Sequence, residues 1–126
     1  MAEHNELGKI GEKIAKTFLM KQGFYVAETN YRTKYGEIDI IAVKGSVFHF
    51  VEVKSVKVKS FDTLSTLSVT PEDNFTKSKS DKVFVSAELY LRHKNVTPET
   101  KWQVDLACVY VYMENREGRV KFLENV

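Results

Sequence analysis

The sequence has few of the residues and motifs that mark several protein classes. Its single cysteine, Cys108, cannot form an internal disulfide, so we expect a reducing, cytoplasmic location. The CxxC and His-Cys spacings of zinc sites are missing, as are the P-loop and the GxGxxG and GxSxG motifs. No apolar run approaches the ~18–20 residues of a membrane span, and no signal peptide opens the chain, so we expect no membrane partner.

An excess of charge of one sign is also missing. The 19 basic and 17 acidic residues give a formal net charge of +2. That balance excludes a strongly basic protein held on nucleic acid by bulk charge alone, but it leaves nucleic acid open as a partner. The 126 residues predict one domain, residues 1–126. A domain of this size buries roughly two-thirds of its unfolded surface and so has a hydrophobic core.

Hydrophobic periodicity predicts an α/β (α+β) domain with elements in the order α-β-β-β-α-β-β. The first helix covers about residues 5–22, and the second ends near Lys94. Strands are predicted at residues 24–31, 37–43, 47–54, 102–113 and 119–123. Residues 55–77, rich in Ser and Thr, are predicted to form a long loop, which we interpret as functional and able to order over a substrate.

The most informative stretch is GEIDIIAVKGSVFHFVEVKS, residues 36–55. Gly45 and Ser46 suit a two-residue hairpin loop, with Gly at the first position of a type II′ turn. A slip of one residue would set the charged face of one strand against the apolar face of the other. The resulting register predicts the opposed pairs Val43–Phe48, Ile41–Phe50, Asp39–Glu52 and Glu37–Lys54.

Two carboxylates opposite each other, with Cβ atoms about 5 Å apart, repel. If Asp39 and Glu52 are partly buried, one of them needs a raised pKa or a cation, and a divalent metal such as Mg²⁺ resolves the conflict. Lys54 lies on the same face as Glu52, where its ammonium could orient water or hold a phosphate oxygen. The alternative is that each residue is an ordinary solvated strand residue and that Glu37 and Lys54 form a plain cross-strand pair.

The first helix carries two unusual residues, Gly8 and Gly11, each of which costs about 1 kcal/mol relative to alanine. They predict that something approaches this helix closely. Glu12 lies at the edge of the apolar stripe, from where it could reach a metal or its water. It could equally be a solvated partner of Lys16, four residues on.

The segments Gly8-x-x-Gly11-Glu12, GEIDIIA at 36–42 and FVEVKS at 50–55 resemble the YraN-like family of uncharacterised proteins. That family belongs to the restriction-endonuclease-like superfamily, with its PD-(D/E)XK active site, and is similar to archaeal Holliday junction resolvases. The resemblance covers most of the chain. It implies a restriction-endonuclease-like core, with a mixed central β-sheet flanked by helices.

The resemblance also implies roles for individual residues. Asp39, Glu52 and the backbone carbonyl of Val53 would bind Mg²⁺ or Mn²⁺, and Lys54 would be the catalytic lysine. Glu12 matches the family's helix-one carboxylate and would bind a second metal or tune the water. Residues interpreted as binding nucleic acid are Lys57, Lys59, Lys79 and Lys82, of which Lys79 matches a family lysine.

Two further positions bear on the resemblance. Asp105 falls where the family has an aspartate in a later strand, although it could equally be a structural hydrogen-bonding acid. Val56 stands where the family has a basic residue, a departure for which Lys57 and Lys59 could compensate. Without compensation, this member would bind or cut more weakly. We expect His49 to be a packing or surface residue and Cys108 to lie in the core.

The leading hypothesis is a Mg²⁺-dependent endonuclease that hydrolyses DNA phosphodiester bonds, including those of branched or damaged DNA. One alternative is a non-catalytic nucleic-acid-binding module of the same fold in a DNA repair or uptake complex. Another is a purely structural or protein-interaction domain. The choice of DNA or RNA stays open, and a homodimer would suit symmetric cutting of two strands.

Overall fold

The computed structural model describes residues 2–60 and 77–126. It confirms the predicted order of elements. The elements are α1 (Ala2–Lys21), β1 (Tyr25–Thr33), β2 (Gly36–Lys44), β3 (Val47–Lys57), α2 (Lys77–His93), β4 (Lys101–Tyr112) and β5 (Glu117–Leu123). Residues 55–57 of the predicted loop belong to β3, and residues 61–76 lie outside the described residues.

The five strands form one sheet in the order β1-β2-β3-β4-β5. β3 and β4 are parallel and the other neighbours are antiparallel, so the predicted mixed sheet is confirmed. Parallel neighbours need a long crossover connection, and α2 lies within the one that joins β3 to β4. Among the described residues, no helix is both long and apolar enough to cross a membrane.

Each helix covers one face of the sheet because its apolar stripe matches inward-facing strand residues. The α1 stripe of Leu7, Ile10, Ile14 and Phe18 packs over a cluster that includes Leu19, Ile40, Val51 and Val109. On the other face, Val83, Ala87 and Tyr90 of α2 pack against Ile41, Phe50 and Val104. The sheet is therefore buried on both faces, and candidate functional groups must lie where its strands end.

The β2–β3 hairpin has the predicted register from the Lys44–Val47 pair to the Ile40–Val51 pair. The predicted opposed pairs Asp39–Glu52 and Glu37–Lys54 lie beyond the end of this ladder. The predicted type II′ turn is wrong. Both Gly45 and Ser46 have positive φ, at 57° and 65°, which defines a type I′ turn. The twist of a type I′ turn matches that of the flanking strands, and here it imposes a left-handed conformation on Ser46 as well as on the glycine.

β2 is irregular around Asp39. Ile38 and Ile41 pack in the same α2-side cluster, whereas Ile40 packs on the α1 side. The strict alternation that places Glu37, Asp39 and Ile41 on one face therefore does not hold through this point. Asn30, between the β1 residues that pair with Ile38 and Ile40, has a positive φ of 51°. The sheet is distorted where the carboxylates gather.

Candidate functional site

Asp39 and Glu52 come together where β2 and β3 stop pairing. The pairing extends only to Ile40 and Val51, and the N–H of Val53 is donated to Asp39 Oδ2 over 2.8 Å. Burial and the neighbouring Glu52 charge raise the pKa of Asp39 to about 8, although the Val53 hydrogen bond opposes the shift. The predicted carboxylate pair is thus present, and it retains a proton near neutral pH.

The end of the β2–β3 ladder also determines which way the Val53 carbonyl points. The N–H and C=O of one residue in an extended strand point to the same side, as in the hydrogen-bonded pairs of an antiparallel ladder. Since the Val53 N–H faces Asp39, its C=O is directed towards that side too, beyond Ile40 and Val51, the last residues that pair between β2 and β3. The residue is therefore oriented as the resemblance implies for a third oxygen donor.

Glu12 reaches this end of the sheet from α1. The side-chain amide of Asn30 donates to Glu12 Oε1 and to Glu37 Oε1, each over 3.0 Å. Burial raises the pKa of Glu12, and the charges of Asp39 and Glu37 raise it further, while the Asn30 hydrogen bond lowers it. Four carboxylates therefore share one region, and Asn30 was not anticipated as the group that links two of them.

Gly11 explains how α1 comes so near. A Cβ at this position would lie 1.7 Å from Ser55 Oγ and 2.8 Å from Ser55 Cβ, so only glycine fits against β3. The predicted close approach is confirmed at Gly11. It is wrong at Gly8, where a Cβ would meet nothing within 4 Å.

Lys54 and Lys79 form the basic side of the site. Lys54 Nζ lies 3.9 Å from Glu52 Oε1. Lys79, in the first turns of α2, approaches Lys54 so closely that a hydrogen bond with it and its charge lower the pKa of Lys79. Glu37 instead pairs with Arg32 at 3.4 Å. Two adjacent lysine amino groups beside two carboxyl groups are suited to an anion that binds together with a cation.

The other three lysines predicted to bind nucleic acid, Lys57, Lys59 and Lys82, lie on the surface. Lys57 ends β3 and Lys59 follows it, and both are exposed. Lys82 is exposed one turn after Lys79, and its Cβ lies 3.9 Å from where a Cβ of Gly36 would be. Val56 is only partly buried. These positions border the segments that carry the carboxylates.

Asp105 lies in a separate polar cluster on β4. It is fully buried, with His49 Nδ1 2.6 Å from its Oδ2 and with Oδ1 accepting from Gln103 Nε2 (2.7 Å) and the Asn125 N–H (2.9 Å). This favours the structural interpretation of Asp105. Sequence reasoning missed its partner His49, which is buried against Phe24. The sequence signal that could have found it is a single histidine in the apolar β3 and a single aspartate in the apolar β4.

The donor chemistry of the main site fits a hard divalent cation. Asp39 and Glu52 offer carboxylate oxygens, Val53 offers a carbonyl oxygen, and ions such as Mg²⁺ take oxygen ligands of these types. A carboxyl whose pKa is raised by burial and by a second carboxylate gains more from a cation than one already supplied with several hydrogen-bond donors. The residues present therefore fit the metal implied by the resemblance.

Comparisons with known proteins identify the family. The model of the uncharacterised protein family UPF0102 matches residues 11–109. A UPF0102 protein of Alkaliphilus metalliredigens is 54% identical over 119 residues, covering 94% of this chain and 95% of that protein. UPF0102 proteins of a Sulfurovum species and of Campylobacter fetus are 40% and 34% identical, covering 94% and 92% of this chain and 91% and 88% of their own lengths. The resemblance to YraN-like proteins is thereby confirmed, and the chain belongs to the UPF0102 family.

Proposed function

We propose that this protein is a metal-dependent endonuclease of the restriction-endonuclease-like superfamily that hydrolyses DNA phosphodiester bonds. The observation that carries the proposal is the apposition of two carboxyl groups and of two lysine amino groups, each pair of which would repel if both members were ionised. Asp39 and Glu52 crowd each other at the end of the β2–β3 ladder, and Lys54 and Lys79 crowd each other beside Glu52. Each pair is unfavourable alone, and both are relieved by a phosphodiester bound together with a divalent cation.

Asp39, Glu52 and the Val53 carbonyl would hold Mg²⁺ or Mn²⁺, with Glu12 tuning the water or holding a second ion. When bound, such a cation activates water for attack on phosphorus and offsets the phosphate charge. Lys54 and Lys79 would hold phosphate oxygens and stabilise the negative charge that develops as water adds. Lys57, Lys59 and Lys82 would contact neighbouring phosphates, which position a nucleic acid without reading its sequence.

The test is nicking of supercoiled and branched DNA in Mg²⁺ or Mn²⁺, with single-stranded RNA as a parallel substrate. We expect wild type to nick DNA, and Asp39→Asn and Lys54→Ala each to lose at least about 100-fold in rate. Glu28→Gln and Lys44→Ala, which change a carboxylate and a lysine outside the site, serve as matched controls. Equal rates for wild type and both site variants would refute catalysis at this site.

A second candidate is a non-catalytic nucleic-acid-binding module. The specific observation in its favour is Val56, which stands where the resemblance leads us to expect a basic residue. Salt-dependent DNA binding that Lys54→Ala weakens, without any metal-dependent nicking, would select this candidate. An absence of DNA and RNA binding would leave a structural or interaction role. Cytoplasmic location and a homodimer remain predictions.

A further inference from the structure

A groove of about 1050 Å³ lies between α1 and β5, and Glu12 does not line it. Its apolar floor includes Ile10, Ile14 and Phe18 from α1 and Val120 from β5. Such a floor, open to solvent, is the kind of surface that a partner covers. The endonuclease proposal makes no use of this groove.

The rim of the groove is basic. Lys9, Lys13 and Lys21 of α1 line it together with Arg116 from the β4–β5 turn. Glu6 is the acidic residue among the described lining residues, and it is already bonded to Arg116, its Oε1 lying 2.7 Å from Arg116 Nη2. The charge that remains is positive, so an occupant with carboxylates is favoured over one with lysines.

β5 adds a second feature, because it is the edge strand on this side of the sheet that the described strands form. An edge strand presents a row of backbone N–H and C=O groups that can pair with an added strand. Gly118 and Val120 line the groove, and they alternate with Arg119 and Lys121. A strand added beside β5 would therefore direct every second side chain towards the groove.

A second copy of this chain is a poorer occupant than an acidic one. Pairing β5 with β5 of another copy would bring the basic rims of the two grooves side by side, and like charges brought together are destabilising. A segment that carries Asp or Glu would instead complement the rim. Charge therefore selects between the two occupants.

We propose that the α1–β5 groove binds an extended, acidic segment of a partner protein, which adds to β5 as a sixth strand. Main-chain hydrogen bonds to β5 supply affinity. Every second side chain of the segment faces the groove, with carboxylates at the positions near Lys9 and Lys13 and apolar side chains at those near Ile14 and Phe18. The groove flanks about 15 helical residues, or roughly 22 Å, which matches about seven residues of strand.

The probe is a blocked, fluorescein-labelled peptide of about seven residues, matched in length to β5, with threonine at every second position. The positions between the threonines, which face the groove, are two glutamates followed by two valines. Fluorescence anisotropy of the full-length protein is expected to show binding at least about tenfold tighter than to the same peptide with lysine for glutamate. The double variant Lys9→Glu/Lys13→Glu is expected to weaken binding about tenfold. Lys16→Glu/Lys101→Glu, which makes the same change in net charge at exposed residues outside the groove, is expected to bind as wild type does.

Strand addition is tested separately from groove binding. An added strand uses one of its two edges, so N-methylation of one alternate set of peptide amides should abolish binding and methylation of the other set should not. Equal sensitivity to both sets would overturn strand addition. Equal affinity in the two double variants would overturn the groove as the site. So would single-stranded DNA binding or dimerisation that only Lys9→Glu/Lys13→Glu removes, because another occupant would then fill the groove.

Discussion

Two aspartates on the central sheet, Asp39 and Asp105, show how differently one fold treats the same side chain. Asp105 is wholly buried and surrounded by donors from His49, Gln103 and the Asn125 backbone. Asp39 accepts one backbone N–H and faces the carboxylate of Glu52, with Glu12 and Glu37 close by. The carboxylate of Asp105, which is the more deeply buried, has hydrogen-bond donors around it, whereas that of Asp39 has other carboxylates around it.

The difference separates a structural carboxylate from a candidate functional one. A buried acid with a full set of donors has no need of a ligand, although His49, Asp105 and Glu124 each offer a ligand atom within 4.8 Å of one another. A carboxylate that is close to other carboxylates is repelled by them and costs stability. Such unfavourable arrangements, when a folded protein retains them, are expected at functional sites. Four predictions test this contrast.

The largest expected effect is on stability at Asp105. Asp105→Ala leaves the buried His49 ring, the Gln103 amide and the Asn125 N–H without their acceptor, so the free energy of unfolding should fall by about 3–5 kcal/mol. Urea denaturation measures the change. The exposed Asp81 provides the control, since Asp81→Ala should stay within about 0.5 kcal/mol of wild type. A loss under about 1 kcal/mol in Asp105→Ala would contradict the structural role.

The second effect is on metal affinity, measured by calorimetric titration with Mn²⁺. Asp39→Asn should weaken binding about 100-fold, because it removes one carboxylate ligand and the repulsion that favours a cation. Glu28→Gln should bind as wild type does. If His49→Ala rather than Asp39→Asn removed the binding, the metal would belong to the Asp105 cluster and the contrast would be reversed.

The third effect is a pH dependence with a definite sign. The folded protein binds the Asp39 proton more tightly than the unfolded chain, whose ordinary aspartate pKa is 3.8. The contribution of Asp39 to stability is therefore fully present below about pH 4 and is lost as pH rises towards 8. In EDTA, Asp39→Asn should become steadily more stable relative to wild type as the pH rises from 5 to 8.

Added Mg²⁺ checks the cause of that pH dependence. It should restore the stability of wild type at pH 8 and leave that of Asp39→Asn unchanged, because a cation that binds only the folded state stabilises that state by mass action. Thermal or urea midpoints at the two pH values provide the measurement. A parallel pH profile for wild type and Asp39→Asn in EDTA would show that Asp39 is not crowded in the folded protein.

The smallest effect concerns the helix that brings Glu12 to Asp39. Gly11→Ala forces a Cβ onto Ser55, and overpacking of about 1–3 kcal/mol outweighs a helix-propensity gain of about 1 kcal/mol. The free energy of unfolding of Gly11→Ala, measured by urea denaturation, should therefore be about 1 kcal/mol lower than that of wild type. The Cβ added by Gly8→Ala has no atom within 4 Å, so the free energy of unfolding of this variant should rise by up to about 1 kcal/mol. Stabilisation by both variants would mean that α1 is not tightly held against β3.

Local patterning predicted much of the fold and part of the site. The apolar stripe of α1, the strand alternation and the Gly45–Ser46 loop predicted the element order and the hairpin register, because these depend on spacing along the chain. From that register the meeting of Asp39 with Glu52 followed. Lys79 was placed near the site by the resemblance, and its approach to Lys54 became visible only in the folded chain.

Other features could not be predicted because they depend on contacts between distant segments. The I′ turn at Ser46, the irregularity that puts Ile38 and Ile41 on one side, and the Asn30 link between Glu12 and Glu37 each require particular neighbours in space. His49 and Asp105 are 56 residues apart and meet only because β3 and β4 are parallel neighbours.

By itself, the sequence determined the elements, their register at the hairpin and the residue types available for a metal and a phosphate, since periodicity and turn chemistry are local. Only the tertiary structure decided which acids are satisfied and which are crowded. Asp39 and Asp105 are the same residue type on similar strands. Solvation and neighbouring charge, which the packing of α1, α2 and the sheet sets, make one a structural hydrogen-bond acceptor and leave the other crowded.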